Sequence, residues 1–288
     1  MISLATRFFR ILLAAACLLG LTDSVLAQGD IKNGQYLAKA GGCAGCHTDS
    51  NPGSAPYAGG RALDTPFGTF FGPNLTPHNE SGLGKWAAAD FARAIRKGER
   101  PDGTHYYPAF PYPSFTAMTD SDIRDLWAFM RSLPAVDRPN QQHKLKFPFG
   151  WRYLVTFWKW LFFTPQTFVA DPKLPAIANR GAYLVGVLGH CGECHTPRNF
   201  LGGTKKSRLL AGAKMPEGRT ANLTPDGLKK WTEQDLVKFF KDGVTPAGDV
   251  TADTMGEVVM NTTSQLKPED VAAVIAYLRS IPALASEK

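Results

Sequence analysis

Cys43-Ala44-Gly45-Cys46-His47 and Cys191-Gly192-Glu193-Cys194-His195 carry one pattern, Cys-x-x-Cys-His, written twice, 148 residues apart. The repeat governs what this chain can fold into, because the flanks of the two motifs agree as well. Gly34-Gln35-Tyr36-Leu37 returns as Gly181-Ala182-Tyr183-Leu184, Asn74-Leu75-Thr76-Pro77 as Asn222-Leu223-Thr224-Pro225, and Arg131-Ser132-Leu133-Pro134-Ala135 as Arg279-Ser280-Ile281-Pro282-Ala283. Self-similarity at a fixed offset means a duplicated structural unit. Two homologous domains are therefore expected, at 29–137 and 174–286, joined by a connector at 138–173.

The fifth cysteine, Cys17, lies in a segment of different character. Arg7 and Arg10 precede the apolar run Ile11 to Leu21, and Val25-Leu26-Ala27 reads as a small-residue cleavage site. Residues 1–27 are thus expected to be a signal peptide, the run being short for a bilayer span, and the mature protein to be periplasmic. That segment holds two arginines and one aspartate, so its removal lowers the formal charge from +7 to +6. The positive charge is dispersed and no nucleic-acid motif accompanies it, so solubility or docking to an acidic partner is expected rather than nucleic-acid binding.

Four cysteines in an exported protein would ordinarily form two disulfides. The histidine after each pair argues for haem instead. Two thiols of one helical turn can form thioethers to two vinyl groups, while the adjacent imidazole reaches the iron from the same side. A zinc site would need four ligands in a closed tetrahedron, and the pairs lie far apart, each with its own histidine. A thioredoxin-like pair would sit in a β-α-β setting, which the sequence lacks. A domain of roughly 110 residues also buries only a modest core unless a rigid apolar body is added. Two covalent haem c groups are expected, attached through Cys43, Cys46, Cys191 and Cys194, with His47 and His195 as iron ligands.

The surrounding pattern is helical, and the expected class is all-α. Asp30 to Ala40 leads into the first motif, and Ala87 to Lys97 places Phe91, Ala94 and Ile95 on one face. Asp120 to Ser132, capped by Thr119 or Asp120 and ended by Pro134, carries Ile123, Leu126, Trp127 and Met130 at helical spacing. Trp231 to Asp242 and Pro268 to Arg279 repeat the scheme. Long Gly- and Pro-rich loops between them need something to pack upon.

A methionine opposite the histidine would close the iron and raise its potential. Met118 stands in the loop before the last helix of the first domain, where a segment can cross the far haem face, whereas Met130 falls in that helix's apolar stripe. In the second domain Met255 and Met260 are both candidates from the matching loop, and Met215 lies too near the attachment turn. His78, His105, His143 and His190 are read as loop histidines, with His190 turned outward beside Cys191. Asn74, Trp86, Asn222 and Trp231 can offer N–H donors to haem propionates.

Residues 147–168, FPFGWRYLVTFWKWLFFTPQTF, are the densest aromatic stretch. Too short between prolines and cations to span a bilayer, they suit an amphipathic helix from Gly150 to Phe163. It would either pack between the two domains or make peripheral contact with a membrane or partner.

Taken with GQYLAKAGGCAGCHT, GPNLTP, YPAFPYPSFTAMTD, GHCGECHTPRN and MGEVVMNTTS, these features resemble di-haem c-type cytochromes, in particular the cytochrome subunits of bacterial periplasmic dehydrogenase complexes. The resemblance covers nearly all of the chain beyond residue 27 and implies two tandem cytochrome c domains. It favours Met255 as the second sixth ligand, and has Tyr36 and Tyr183 beside Gly34 and Gly181 where the first helix crosses the last. It implies electron transfer from a dehydrogenase towards a terminal oxidase or another cytochrome, not catalysis of its own. Subunits of that kind in alcohol and sugar-acid dehydrogenases typically carry three such motifs. This chain has two, so their electron path and substrate do not carry over. A di-haem peroxidase is the enzymatic alternative, requiring an iron with an open position. A thiosulfate-oxidising cytochrome would need a spare cysteine ligand, and none remains after residue 27.

Overall fold

A computed structural model describes residues 29–215 and 218–286; the expected signal peptide lies outside the described residues. The first domain opens with α1 (Ile31–Ala40), capped by the Asp30 carboxylate, which accepts from the Lys32 and Asn33 amides at 2.8 and 3.1 Å. Next come α2 (Cys43–His47), the hairpin β1 (Ala62–Thr65) and β2 (Gly68–Phe71), α3 (Ala88–Lys97), the single turn α4 (Tyr112–Phe115) and α5 (Asp120–Ser132). The Thr119 hydroxyl caps α5, accepting from the Asp122 amide. The connector supplies β3 (Lys144–Leu145) and α6 (Tyr153–Phe162). In the second domain α7 (Ala176–Tyr183) runs on as a π-helical turn at Leu184–Leu188, followed by α8 (Gly192–His195), β4 (Lys214–Met215), β5 (Gly218–Arg219), α9 (Glu233–Asp242), α10 (Asp253–Asn261) and α11 (Pro268–Ser280).

The helical expectation holds to within a few residues at most ends, but the class is not purely α. The strands are short and antiparallel, and β3 adds to the β1–β2 hairpin through Gly68↔Leu145 and Thr69↔Lys144. Loops that leave a helical scaffold must still satisfy their amides and carbonyls, and here they do so by pairing with one another. The first part of the connector is thereby stitched onto the first domain.

Within each domain the first helix crosses the last at a glycine. A β-carbon on Gly34 would lie 1.9 Å from the Asp125 carbonyl oxygen, and one on Gly181 1.9 Å from that of Ala273. No side chain fits at either contact. The tyrosines beside these glycines do something the repeat did not suggest. Rather than completing the crossing in their own domain, their hydroxyls reach into the other one. Tyr36 donates to Asp270 (2.5 Å) and accepts from the Lys267 amide (3.3 Å), while Tyr183 donates to Asp122 (2.5 Å) and accepts from the Thr119 amide (3.1 Å). Each hydroxyl thus caps the N-terminus of the last helix of the opposite domain, where backbone N–H groups lack helical partners. The buried core is continuous across this contact: Leu37, Phe129 and Met130 belong to one cluster with Leu184, Leu188 and Leu278.

Candidate haem-attachment sites

His47 and His195 sit at the ends of one-turn helices and are oriented alike. The Nδ1 of His47 lies 2.8 Å from the Pro73 carbonyl oxygen, and that of His195 2.8 Å from the Ala221 carbonyl oxygen. A carbonyl can only accept, so Nδ1 carries the proton and Nε2 is left as a lone-pair donor, the arrangement that fixes a metal-ligating tautomer. Burial lowers the pKa of both rings, opposed only by that one hydrogen bond, which keeps the imidazoles neutral.

The four cysteines among the described residues are free thiols, with Cys43 and Cys191 partly buried. Burial pushes both of these up to about 12, the reverse of a reactive redox pair, whose thiolate is stabilised. Among the described residues no three His, Cys, Asp or Glu side chains converge into a metal-ion cluster, so the zinc arrangement has no fourth ligand to recruit. Paired neutral thiols on one turn, beside a neutral imidazole with its Nε2 free, fit covalent haem.

Each motif is clasped by the opposite domain. Ser114, in α4 of the first domain, donates to Glu193 inside the second motif (3.2 Å), and Phe115 meets the His190 ring edge-on at 5.4 Å. In return, α10 of the second domain lies against the first motif: Glu257 accepts two bonds from Arg61 (2.7 and 2.9 Å), and Asn261 stands beside Gly45. Burial raises the Cys46 thiol, and Cys194 of the other motif adds to that rise. His190, expected to face outward, is therefore turned into the domain contact, its backbone held at φ 38°.

Met118 is 1% exposed in the first-domain core, Met130 is buried within α5 and Met260 is exposed. Met255 stands in α10, not in a loop. The two domains correspond up to this region, at an offset of 148 residues through the Asn-Leu-Thr-Pro turn and of 145 from the following helix onward. The Tyr106 amide donates to Gly98 and the Thr251 amide to Gly243, both at 2.8 Å, and the Glu99–His105 bridge matches Val244–Val250. From there to the helix cap the second domain is longer, 251–267 against 106–119, by three residues. Counted from the preceding helix Met255 corresponds to Phe110, and counted back from the next helix Met118 corresponds to Leu266. Met118 and Met255 therefore stand at different places in the repeat, an asymmetry that shared flanking motifs conceal.

The asparagines are not propionate donors. The Asn74 amide donates to the Val136 carbonyl (2.8 Å) and Ser81 (3.2 Å), while its oxygen accepts from the Thr76 amide and hydroxyl; Asn222 repeats this with Leu284 and Thr224. They tie the Asn-Leu-Thr-Pro turn to the segment after the last helix, so their hydrogen-bonding capacity is spent. Trp86 and Trp231 pack at the edge of the core.

The sequence signature of the cytochrome c family matches residues 31–134 and again 178–282. A diheme cytochrome c-type protein of Cereibacter sphaeroides is 42% identical over 98% of this chain and 99% of its own length. The fructose dehydrogenase cytochrome subunit of Gluconobacter japonicus is 39% identical over 92% of this chain, and the cytochrome c subunit of the quinone alcohol dehydrogenase of Gluconobacter oxydans 37% identical over 90%. The chain spans only 55% and 56% of those two subunits. Matched twice over by the family signature, with a free Nε2 in each Cys-x-x-Cys-His turn, the chain belongs to the cytochrome c family as a protein of two such domains, each bearing one covalent haem c.

Proposed function

We propose that this protein carries electrons in the periplasm from a dehydrogenase to an acceptor such as a terminal oxidase or another cytochrome, with Met118 and Met255 as sixth ligands. The observation that carries the reading is the reciprocal clasp, Ser114 on Glu193 and Arg61 on Glu257, which sets the two attachment turns against each other. Bound haem supplies a one-electron couple at each site. The polypeptide supplies the rest. His47 and His195 are pinned by backbone carbonyls, the Cys43 and Cys191 thiols are held on the same turn as their imidazole, and the domain contact fixes the separation and angle of the two sites. The dehydrogenase subunits among the relatives support a donor of that class.

A dehydrogenase copurified with the protein from its native host, supplied with that enzyme's substrate, is expected to reduce both haems. Haems that stay oxidised, or rapid turnover of hydrogen peroxide by the reduced protein, would overturn the proposal. The ligand assignment has its own test. Met118→Leu and Met255→Leu conserve volume, a change that costs less than about 1.5 kcal/mol. Each is expected to remove half of the thioether-to-ferric-iron absorption and to turn one haem high-spin, with Met130→Leu and Met260→Leu leaving the spectrum unchanged.

A further inference from the structure

Helix α10 serves one domain with one face and the other domain with the opposite face. Met255 and Val259, four residues apart, share one side of it, while Glu257 and Asn261 share another, about 200° round the axis from Met255 and Val259 respectively. Val259 is buried and faces Gly243 at the end of α9, where a β-carbon would meet it at 3.7 Å. Glu257 and Asn261 face the first domain. Both oxygens of Glu257 accept from Arg61 Nη2 (2.7 and 2.9 Å), and Asn261 stands beside Gly45 in the first attachment turn. Thr262, which ends the helix, crowds Gly42 so closely that a β-carbon there would lie 2.8 Å from its hydroxyl.

The segment that bears Met255 is gripped lightly by its own domain. Val259 is the one buried residue of the helix, Ala252 gives its N-terminus no side-chain cap, and Asp253 opens it at φ 55°, a left-handed conformation that disfavours residues with a β-carbon. Beyond the helix end, Thr263 ties the chain to the Phe240 carbonyl (2.7 Å). Met118 is placed differently. Tyr112, Phe115, Thr116 and Ala117 before it are all buried, and Thr119 after it caps α5, so that segment is fixed from within the first domain whether or not Ser114 reaches Glu193. The hold on α10 from outside is the Arg61–Glu257 pair. With side chains 24% and 47% exposed, it is worth what a surface ion pair is worth, at most about a fivefold change in an equilibrium.

We infer that Arg61, a first-domain residue, is a positioning residue for the second haem, holding Met255 in place through Glu257; this rests on Met255 being that haem's sixth ligand. The test is imidazole titration of the ferric, haem-loaded protein in a Met118→Leu background, where the remaining thioether-to-iron absorption belongs to the second haem. Imidazole competes with the methionine and is itself neutral, so a loosened ligand shows as tighter imidazole binding. Arg61→Gln and Glu257→Gln are each expected to tighten it about three- to fivefold, the double variant no further than either one, and Arg61→Lys, which keeps a charge for Glu257, to stay near the parent. In a Met255→Leu background, which reports the first haem, Arg61→Gln and Ser114→Ala are expected to leave imidazole affinity unchanged. Glu257→Gln, altering an exposed side chain, carries the test if Arg61→Gln fails to fold by circular dichroism. A second haem that binds imidazole as the parent does in these variants, or two haems loosened alike, overturns the inference while the ligand reading stands. Thioether absorption that survives whole in Met255→Leu overturns the ligand reading itself, and the inference with it.

Discussion

Replacing Gly34 with alanine is expected to abolish the stable first domain. The new methyl carbon would lie 1.9 Å from the Asp125 carbonyl oxygen and 2.5 Å from its carbon, and both belong to the backbone of α5, so no rotamer change can relieve the contact. The helices would have to separate along a crossing that Tyr57, Phe129 and Met130 fill from the side. Ordinary overpacking costs about 1–3 kcal/mol. Separation of two packed helices in a domain whose entire stability is about 5–15 kcal/mol goes well beyond that. Gly181→Ala should do the same to the second domain through the Ala273 carbonyl, and Gly186→Ala, where nothing lies within 4 Å, should be silent. Denaturant unfolding followed by helical circular dichroism and haem absorbance distinguishes them. A Gly34→Ala protein with the parent's midpoint would mean that the helices do not cross as described.

The second large effect is at Asp270. This carboxylate, 6% exposed, accepts two bonds from Arg180 (2.8 and 2.7 Å) and one from Tyr36. Asp270→Asn strands a guanidinium and a hydroxyl. Breaking a buried pair from one side costs about 3–5 kcal/mol, and since the Arg180 side chain is 40% exposed we expect about 2–3 kcal/mol. For a chain of this size that is roughly 5–10 °C in Tm. Asp122, bonded to Tyr183 without a guanidinium, should lose only about 1 kcal/mol on the same change. The effect at Asp270 depends on pH. Burial raises this carboxyl, but the Arg180 and Tyr36 bonds outweigh it and hold the group below the ordinary carboxylate range. A carboxylate with a depressed folded pKa stabilises the fold above its unfolded pKa of about 4, and that contribution is lost as pH falls through the folded value. The gap in Tm between parent and Asp270→Asn is therefore expected to be full at pH 7 and to close in acid. A gap that persisted at pH 2 would contradict the assignment.

Local chemistry was legible in the sequence, and long-range pairing was not. The helix Asp120–Ser132 and its Thr119 cap could be read from periodicity and cap residues because both are set within a few positions along the chain. The pentapeptide likewise delivers its thiols and imidazole from one turn. By contrast, β3 pairs with β2 across more than seventy residues, and nothing in Lys144-Leu145 announces it. The Asn74 and Asn222 amides looked available because a carbonyl some sixty residues away, which consumes them, leaves no trace in the local pattern. Tyr36 and Tyr183 carry the same lesson. Repetition shows that two residues play one role, but not whether that role is performed within a unit or between units.

Tyr36 meets Asp270 while Tyr183 meets Asp122, an exchange of like for like that two separate molecules make around a twofold axis. Here both halves lie on one polypeptide, so the association is intramolecular and independent of dilution. Each half also saturates the complementary face of its sibling, and no copy of that face is left over through which the chain could polymerise.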